Sequence, residues 1–113
     1  MLPEVRKYLA DALQCACSVE NFTKGLDYSE FEQNLLLRSA VYYQFTIIGE
    51  ALTQMRKLDD ATFERISEVR RIVGFRNQVV HGYDKLQDIV TWQIIQDKLP
   101  ILQQELRELL DTK

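Results

Sequence analysis

Only four Gly and two Pro interrupt a chain of 113 residues, and this scarcity of chain-turning residues constrains the fold more than any other feature. A sandwich or barrel of short strands needs a turn signal every ~8–12 residues, which this sequence does not supply. Between the breakers, apolar residues recur at helical spacing. The first stripe is Val5, Leu9, Ala12, Leu13, Ala16 and Val19. The second, Leu35, Leu36, Val41, Phe45, Ile48, Leu52 and Met55, is dense enough to need cover on more than one side. A third carries Val69, Ile72, Val73, Phe75, Val79 and Val80 and stops at Gly82. The fourth holds Ile89, Val90, Trp92, Ile94, Ile95 and Leu99, then Leu102, Leu106, Leu109 and Leu110 beyond a kink expected at Pro100. The expectation is an all-α antiparallel bundle of four main helices plus a short helix, forming a single domain over residues 1–113.

Local signals place the boundaries. Pro3 suits a first helical position, where its missing N–H would be unpaired in any case, and Gly25 marks the exit of that helix. Ser29 with Glu32 fits a capping box, and Asp27 with Glu30 fits equally well. From there the second helix is predicted to run unbroken to about Lys57. Asp59 or Asp60 can cap a short helix over 61–67, and the last helix begins near Gln87 or Asp88.

With 46% hydrophobic and 27% charged residues, the chain is not intrinsically disordered. Its net charge of −3 means that any RNA- or DNA-binding site must be a local basic patch. Cys15 and Cys17 are two apart on a helix, so their side chains diverge by about 200° and do not suit a disulfide; they read as reduced thiols of a cytoplasmic protein. The N-terminus lacks the apolar stretch of a secretory signal, and no apolar run is long enough to span a membrane.

Residues 74–84 read Gly-Phe-Arg-Asn-Gln-Val-Val-His-Gly-Tyr-Asp and contain the single His of the chain. On a helix, Arg76 and Tyr83 are seven apart and share a face, and Asn77 and His81, four apart, share the adjacent one. Arg76 and His81 lie about 140° apart and converge if the Arg reaches around or the helix loosens at Gly82. Over residues 62–83 four Arg oppose two acids, so the segment is locally +2 on an acidic chain. Taken singly, Arg76 would be a surface ion pair, His81 a helix end favoured by the dipole, and Tyr83 a packed ring. Glu50 is either an ion-pair partner of Arg70 or Arg76 or a structural carboxylate. Asp84 and Asp88 read as helix-boundary residues and Trp92 as core.

The pattern Arg76-Asn77-x-x-x-His81-x-Tyr83 resembles the signature of the HEPN superfamily, in the form found in HepT-type toxins. Tyr8-Leu9-Ala10-Asp11, Phe22-Thr23-Lys24-Gly25, Ile47-Ile48-Gly49-Glu50-Ala51 and Trp92…Asp97-Lys98-Leu99-Pro100 recur in the same order. The likeness covers roughly residues 6–106. Many relatives carry a Pro- and Trp-containing stretch before the third main helix, where this chain has Ala61-Thr62-Phe63-Glu64-Arg65-Ile66. The resemblance implies a homodimeric, metal-independent ribonuclease toxin of a type VII-like pair, encoded beside a nucleotidyltransferase antitoxin. It also implies that Arg76 and His81 are catalytic and that Tyr83 accepts AMP from the partner.

The chemistry agrees with the residue types. Cleaving RNA without a metal needs a base for the 2′-OH proton, a cation for the phosphoryl oxygens and an acid for the leaving 5′-oxygen. Histidine, with an ordinary pKa near 6.5, suits proton transfer, and a guanidinium fork matches phosphate. One His per chain falls short of a base and an acid, so a cleft at a two-fold homodimer interface is expected, with Asn77 orienting the imidazole or binding phosphate. No metal-ligand spacing and no Gly-rich phosphate loop is present, so no cofactor is expected. The alternative is a non-catalytic module that binds nucleotides or docks a partner.

Overall fold

The computed structural model describes residues 1–111. Among them there is no strand: the chain is all-α. Helix α1 (Pro3–Thr23) starts with Pro3 in its first turn and buries Val5, Leu9, Ala12, Ala16 and Val19 completely. It ends where Gly25 takes a φ of +77°, a left-handed conformation that glycine adopts without a Cβ penalty. Of the two possible capping boxes, Asp27 and Glu30 form the one observed, with Glu30 N donating to Asp27 Oδ1 at 2.9 Å and Asp27 N to Glu30 Oε1 at 3.1 Å.

That box starts a helix of only six residues, α2 (Tyr28–Gln33), and here the expectation of one unbroken second helix fails. Asn34 leaves helical geometry, with φ −111° and ψ 95°. Its side chain then accepts from Leu37 N at 2.9 Å, capping α3 (Leu35–Leu58). Asparagine satisfies a free N–H of a new first turn as readily as it continues an old helix, and Arg38 fastens the joint by donating to the Glu32 carbonyl. Leu35 and Leu36, expected in the core, are 69% and 82% exposed. The remaining stripe of α3, from Val41 to Met55, is buried as its spacing predicts.

Asp59 caps the short helix α4 (Asp60–Glu64), accepting from Thr62 N and Thr62 Oγ1, and these bonds hold its carboxyl below the usual range. Helix α5 (Val69–His81) buries Val69, Ile72 and Phe75. It is followed by a 3-10 turn over Tyr83–Lys85. The last rod comprises α6 (Asp88–Gln93), a π-helical turn (Ile94–Lys98) and α7 (Leu99–Asp111). Pro100 has no N–H to donate, and the expected disturbance takes the form of this wider turn, in which Leu99 N reaches back five residues to Ile94 O. Trp92 is half-buried, not core, with its ring 5.3 Å from that of Phe31.

Helix α1 packs between α3 and α7. Arg6 donates to Leu110 O at 2.7 Å, and Gln103 and Arg107 both reach Cys17 Sγ at 3.6 Å, so α1 and α7 run antiparallel. Cys15 and Cys17 are free thiols. Helix α5 also packs on α3, in a register marked by the Phe45–Phe75 edge contact at 5.1 Å and the Glu50–Arg76 ion pair. No helix among the described residues is long and apolar enough to cross a membrane.

Candidate functional site

Gly49 creates the opening that receives Arg76. A methyl group on Gly49 would stand 2.3 Å from both Cβ and Cγ of Arg76, so α3 and α5 approach more closely here than any other residue would permit. Through this notch the Arg76 side chain, 20% exposed, crosses α3 and donates from one terminal nitrogen to Glu50 Oε2 at 3.1 Å. The other terminal nitrogen donates to Asn77 Oδ1 at 3.0 Å. Nε of Arg76 is buried without a partner. Of the two partners open to Glu50, Arg76 is the one it meets. Arg70 pairs instead with Glu64, which keeps the Glu64 carboxyl below its usual range.

Among the described residues, neither His81 nor Tyr83 is hydrogen-bonded into this cluster. His81 is the last residue of α5 and is exposed, and no hydrogen bond to its ring occurs among the described residues. It lies about 7.5 Å along the helix axis from Arg76. The shared face expected for Arg76 and Tyr83 does not arise. The helix closes at Gly82, whose N–H bonds Gln78 O at 2.8 Å, and Tyr83 falls in the 3-10 turn. There it is 75% exposed.

The turn is secured by residues that sequence reasoning read otherwise or passed over. Tyr42 donates to Asp88 Oδ1 at 2.8 Å and lies 3.1 Å from Thr91 Oγ1, while Arg38 reaches Asp88 Oδ2 at 3.7 Å. Asp88 is therefore more than a helix boundary: it ties the exit of the Tyr83 turn to α3. Burial is the main reason that the Tyr42 hydroxyl is pushed up to about 12. Tyr8, Asp11 and Gln54 were also missed. With Arg76 and Glu50 they line a groove of about 270 Å³. Their signal was present in the three-residue spacing that puts Tyr8 and Asp11 on one side of α1.

No three His, Cys, Asp or Glu side chains among the described residues come together in a way that could hold a metal ion. The site thus lies in a helical bundle, with Arg76 and His81 five apart on one helix and Arg76 bridged to Glu50 of the longest helix. Comparison with known proteins narrows the class. Residues 12–109 match the family model described as ribonuclease HepT-like. Among curated proteins, one from Methanocaldococcus jannaschii named "Putative RNase" is 35% identical over 104 residues, covering 90% of this chain and 93% of the relative. A relative of the same description from Caldanaerobacter subterraneus subsp. tengcongensis is 30% identical, with 93% of each chain covered. No solved structure matches. The chain belongs to the ribonuclease HepT-like family, within the HEPN superfamily.

Proposed function

We propose that this chain is the toxin of a toxin–antitoxin pair, an endoribonuclease that cleaves RNA without a metal ion in the cytoplasm. The observation that carries the reading is the preorganised Arg76, set through the Gly49 notch and held by Glu50 and Asn77 on the helix that ends in His81. A guanidinium fixed in a half-buried position stabilises charge developing on a phosphoryl group without reorganising as the reaction proceeds. His81 takes the 2′-OH proton, the 2′-oxygen attacks phosphorus, and the 5′-oxygen leaves with a proton from a second acid. One protomer supplies a single histidine, short of both a base and an acid. Two copies related by a two-fold axis supply both roles. The exposure of Leu35, Leu36, Tyr43, Val80 and Ile89, all on the α3, α5 and α6 elements around the motif, supports such an interface.

Tyr83 is the acceptor of AMP from a nucleotidyltransferase antitoxin. Its side chain is exposed and makes no hydrogen bond among the described residues, which leaves the hydroxyl open to transfer. An added nucleoside phosphate would bring bulk and negative charge close to the imidazole that must receive RNA.

Incubation of the purified protein with RNA and EDTA tests the reading. Cleavage is expected, and His81→Ala and Arg76→Ala should each reduce it more than ~100-fold with unchanged helicity. Intact RNA across a broad panel, together with nucleotide binding, would establish the non-catalytic module instead. With the partner and ATP, an AMP-sized mass should appear on the wild type and be absent from Tyr83→Phe.

A further inference from the structure

The structure contains three openings of note. One, of about 290 Å³, lies between the end of α1 and the π-helical turn and shares no residue with the motif. A second, of about 150 Å³, lies beneath the 3-10 turn. The third, of about 270 Å³, is roofless, and Arg76 itself forms one of its walls.

Ile47 and Ala51 of α3 and the half-buried ring of Tyr8 on α1 are among the residues that line this third groove. An aromatic ring beside apolar side chains suits the face of a heteroaromatic ring. Its size is near the lower limit for small-ligand sites, about 300 Å³, which favours one ring system over a stretch of oligonucleotide. The polar groups at its edge are not neutral in their demands. Gln54 donates one amide N–H to Glu50 Oε1 at 2.8 Å, and Thr46 spends its hydroxyl proton on Tyr42 O at 3.0 Å. Both Glu50 oxygens are engaged, by Gln54 and Arg76. Among the described residues, Asp11 accepts from Lys7 alone, at Oδ2 and 3.0 Å. Asp11 Oδ1, with the remaining lone pair of Oδ2, therefore leaves a carboxylate acceptor at the edge of the groove, which repels a second phosphate while welcoming N–H donors.

We propose that this groove is a nucleobase subsite that takes guanine, read by Asp11, beside the phosphate bound at Arg76. The inference rests on the reading of Arg76 as a phosphate ligand. A base is joined to its 3′-phosphate through a single ribose, so a phosphate at Arg76 delivers that nucleotide's base to the adjoining groove. Among the four bases, guanine alone presents two adjacent N–H donors, N1–H and N2–H, which one carboxylate accepts together. Uracil offers one N–H between two carbonyl oxygens, which the carboxylate disfavours. Adenine and cytosine pair an amino group with an acceptor nitrogen. Lys7, whose ammonium lies 5.7 Å from the Tyr8 ring centre, fixes Asp11 from the solvent side.

Titration of the full-length protein with the four nucleoside 3′-monophosphates, followed by NMR shifts, tests the assignment. Guanosine 3′-monophosphate is expected to bind about tenfold or more tightly than uridine 3′-monophosphate, with shifts centred on Tyr8, Asp11 and Ile47. Asp11→Asn should bring the four within about twofold, because an amide offers only one acceptor. Arg76→Ala should weaken all four alike. Equal affinities in the wild type, an unchanged preference in Asp11→Asn, or a dimer that covers Tyr8 before nucleotide is added would overturn the proposal. Cleavage mapping separates this inference from its premise. RNA cut without preference for the 3′ side of guanosine defeats the subsite but leaves the nuclease, whereas guanosine 3′-monophosphate bound in the groove of a protein that cuts no RNA does the reverse.

Discussion

At the scale of single residues, the site turns on an absent side chain. Gly49 allows Arg76 to cross α3, and Gly49→Ala would drive a methyl into Arg76 Cβ and Cγ, neither of which can swing away as a terminal atom would. This variant is expected to lose about 1–3 kcal/mol of stability, read by thermal unfolding, and most of its RNA cleavage. Glu50→Gln separates positioning from stability. The ion pair it weakens has partners 20% and 50% exposed, so the stability cost is expected to stay below ~1 kcal/mol. The loss of a fixed guanidinium should nevertheless lower kcat about tenfold. An unchanged kcat would mean that Glu50 merely decorates the helix. The Arg76–Glu50 pairing was half legible: the sequence offered Glu50 two arginines, and only the α3–α5 register chose between them.

Individual elements depend on short polar devices more than on apolar periodicity. Asn34 starts α3, and Asn34→Ala should cost about 1 kcal/mol through loss of its bond from Leu37 N, visible as a lower unfolding midpoint. This break was hidden in the sequence because Asn34 sits between two stretches that each look helical, and local propensity does not reveal which turn wins. The Tyr42–Asp88–Thr91 cluster gives α6 its attachment to α3 and carries a pH signature. In the folded chain the Tyr42 pKa rises from 10.0 to about 12. Folding thus favours the protonated phenol, and the associated stability is fully present below about pH 10 and lost as pH rises toward 12. Denaturant unfolding at pH 9 and 11.5 should show the loss in the wild type and less of it in Tyr42→Phe. Asp88, read from the sequence as a boundary, gains this role only because Tyr42 lies 46 positions earlier on a helix packed beside it.

For the molecule as a whole, the decisive property is what its surface leaves uncovered. Leu36 is 82% and Leu35 69% exposed, although the rest of their stripe, from Val41 to Met55, is core. If two copies meet around the motif, Leu36→Glu should shift the protein from dimer to monomer by light scattering and abolish RNA cleavage while preserving helicity. A dimer unaffected by this change would place the interface elsewhere. The sequence alone determined the all-α class, most of the helical segments and the Arg76–His81 motif, and narrowed two of the caps to a pair of candidates each, because turn chemistry and 3.6-residue periodicity act over only a few neighbouring positions. Tertiary structure alone decided that Leu35 and Leu36 face outward, that Arg76 meets Glu50, and that Tyr8 and Asp11 border the same groove. Those outcomes depend on how one helix is registered against another, and that register is set by close contacts between residues far apart in the chain, above all Gly49 against Arg76.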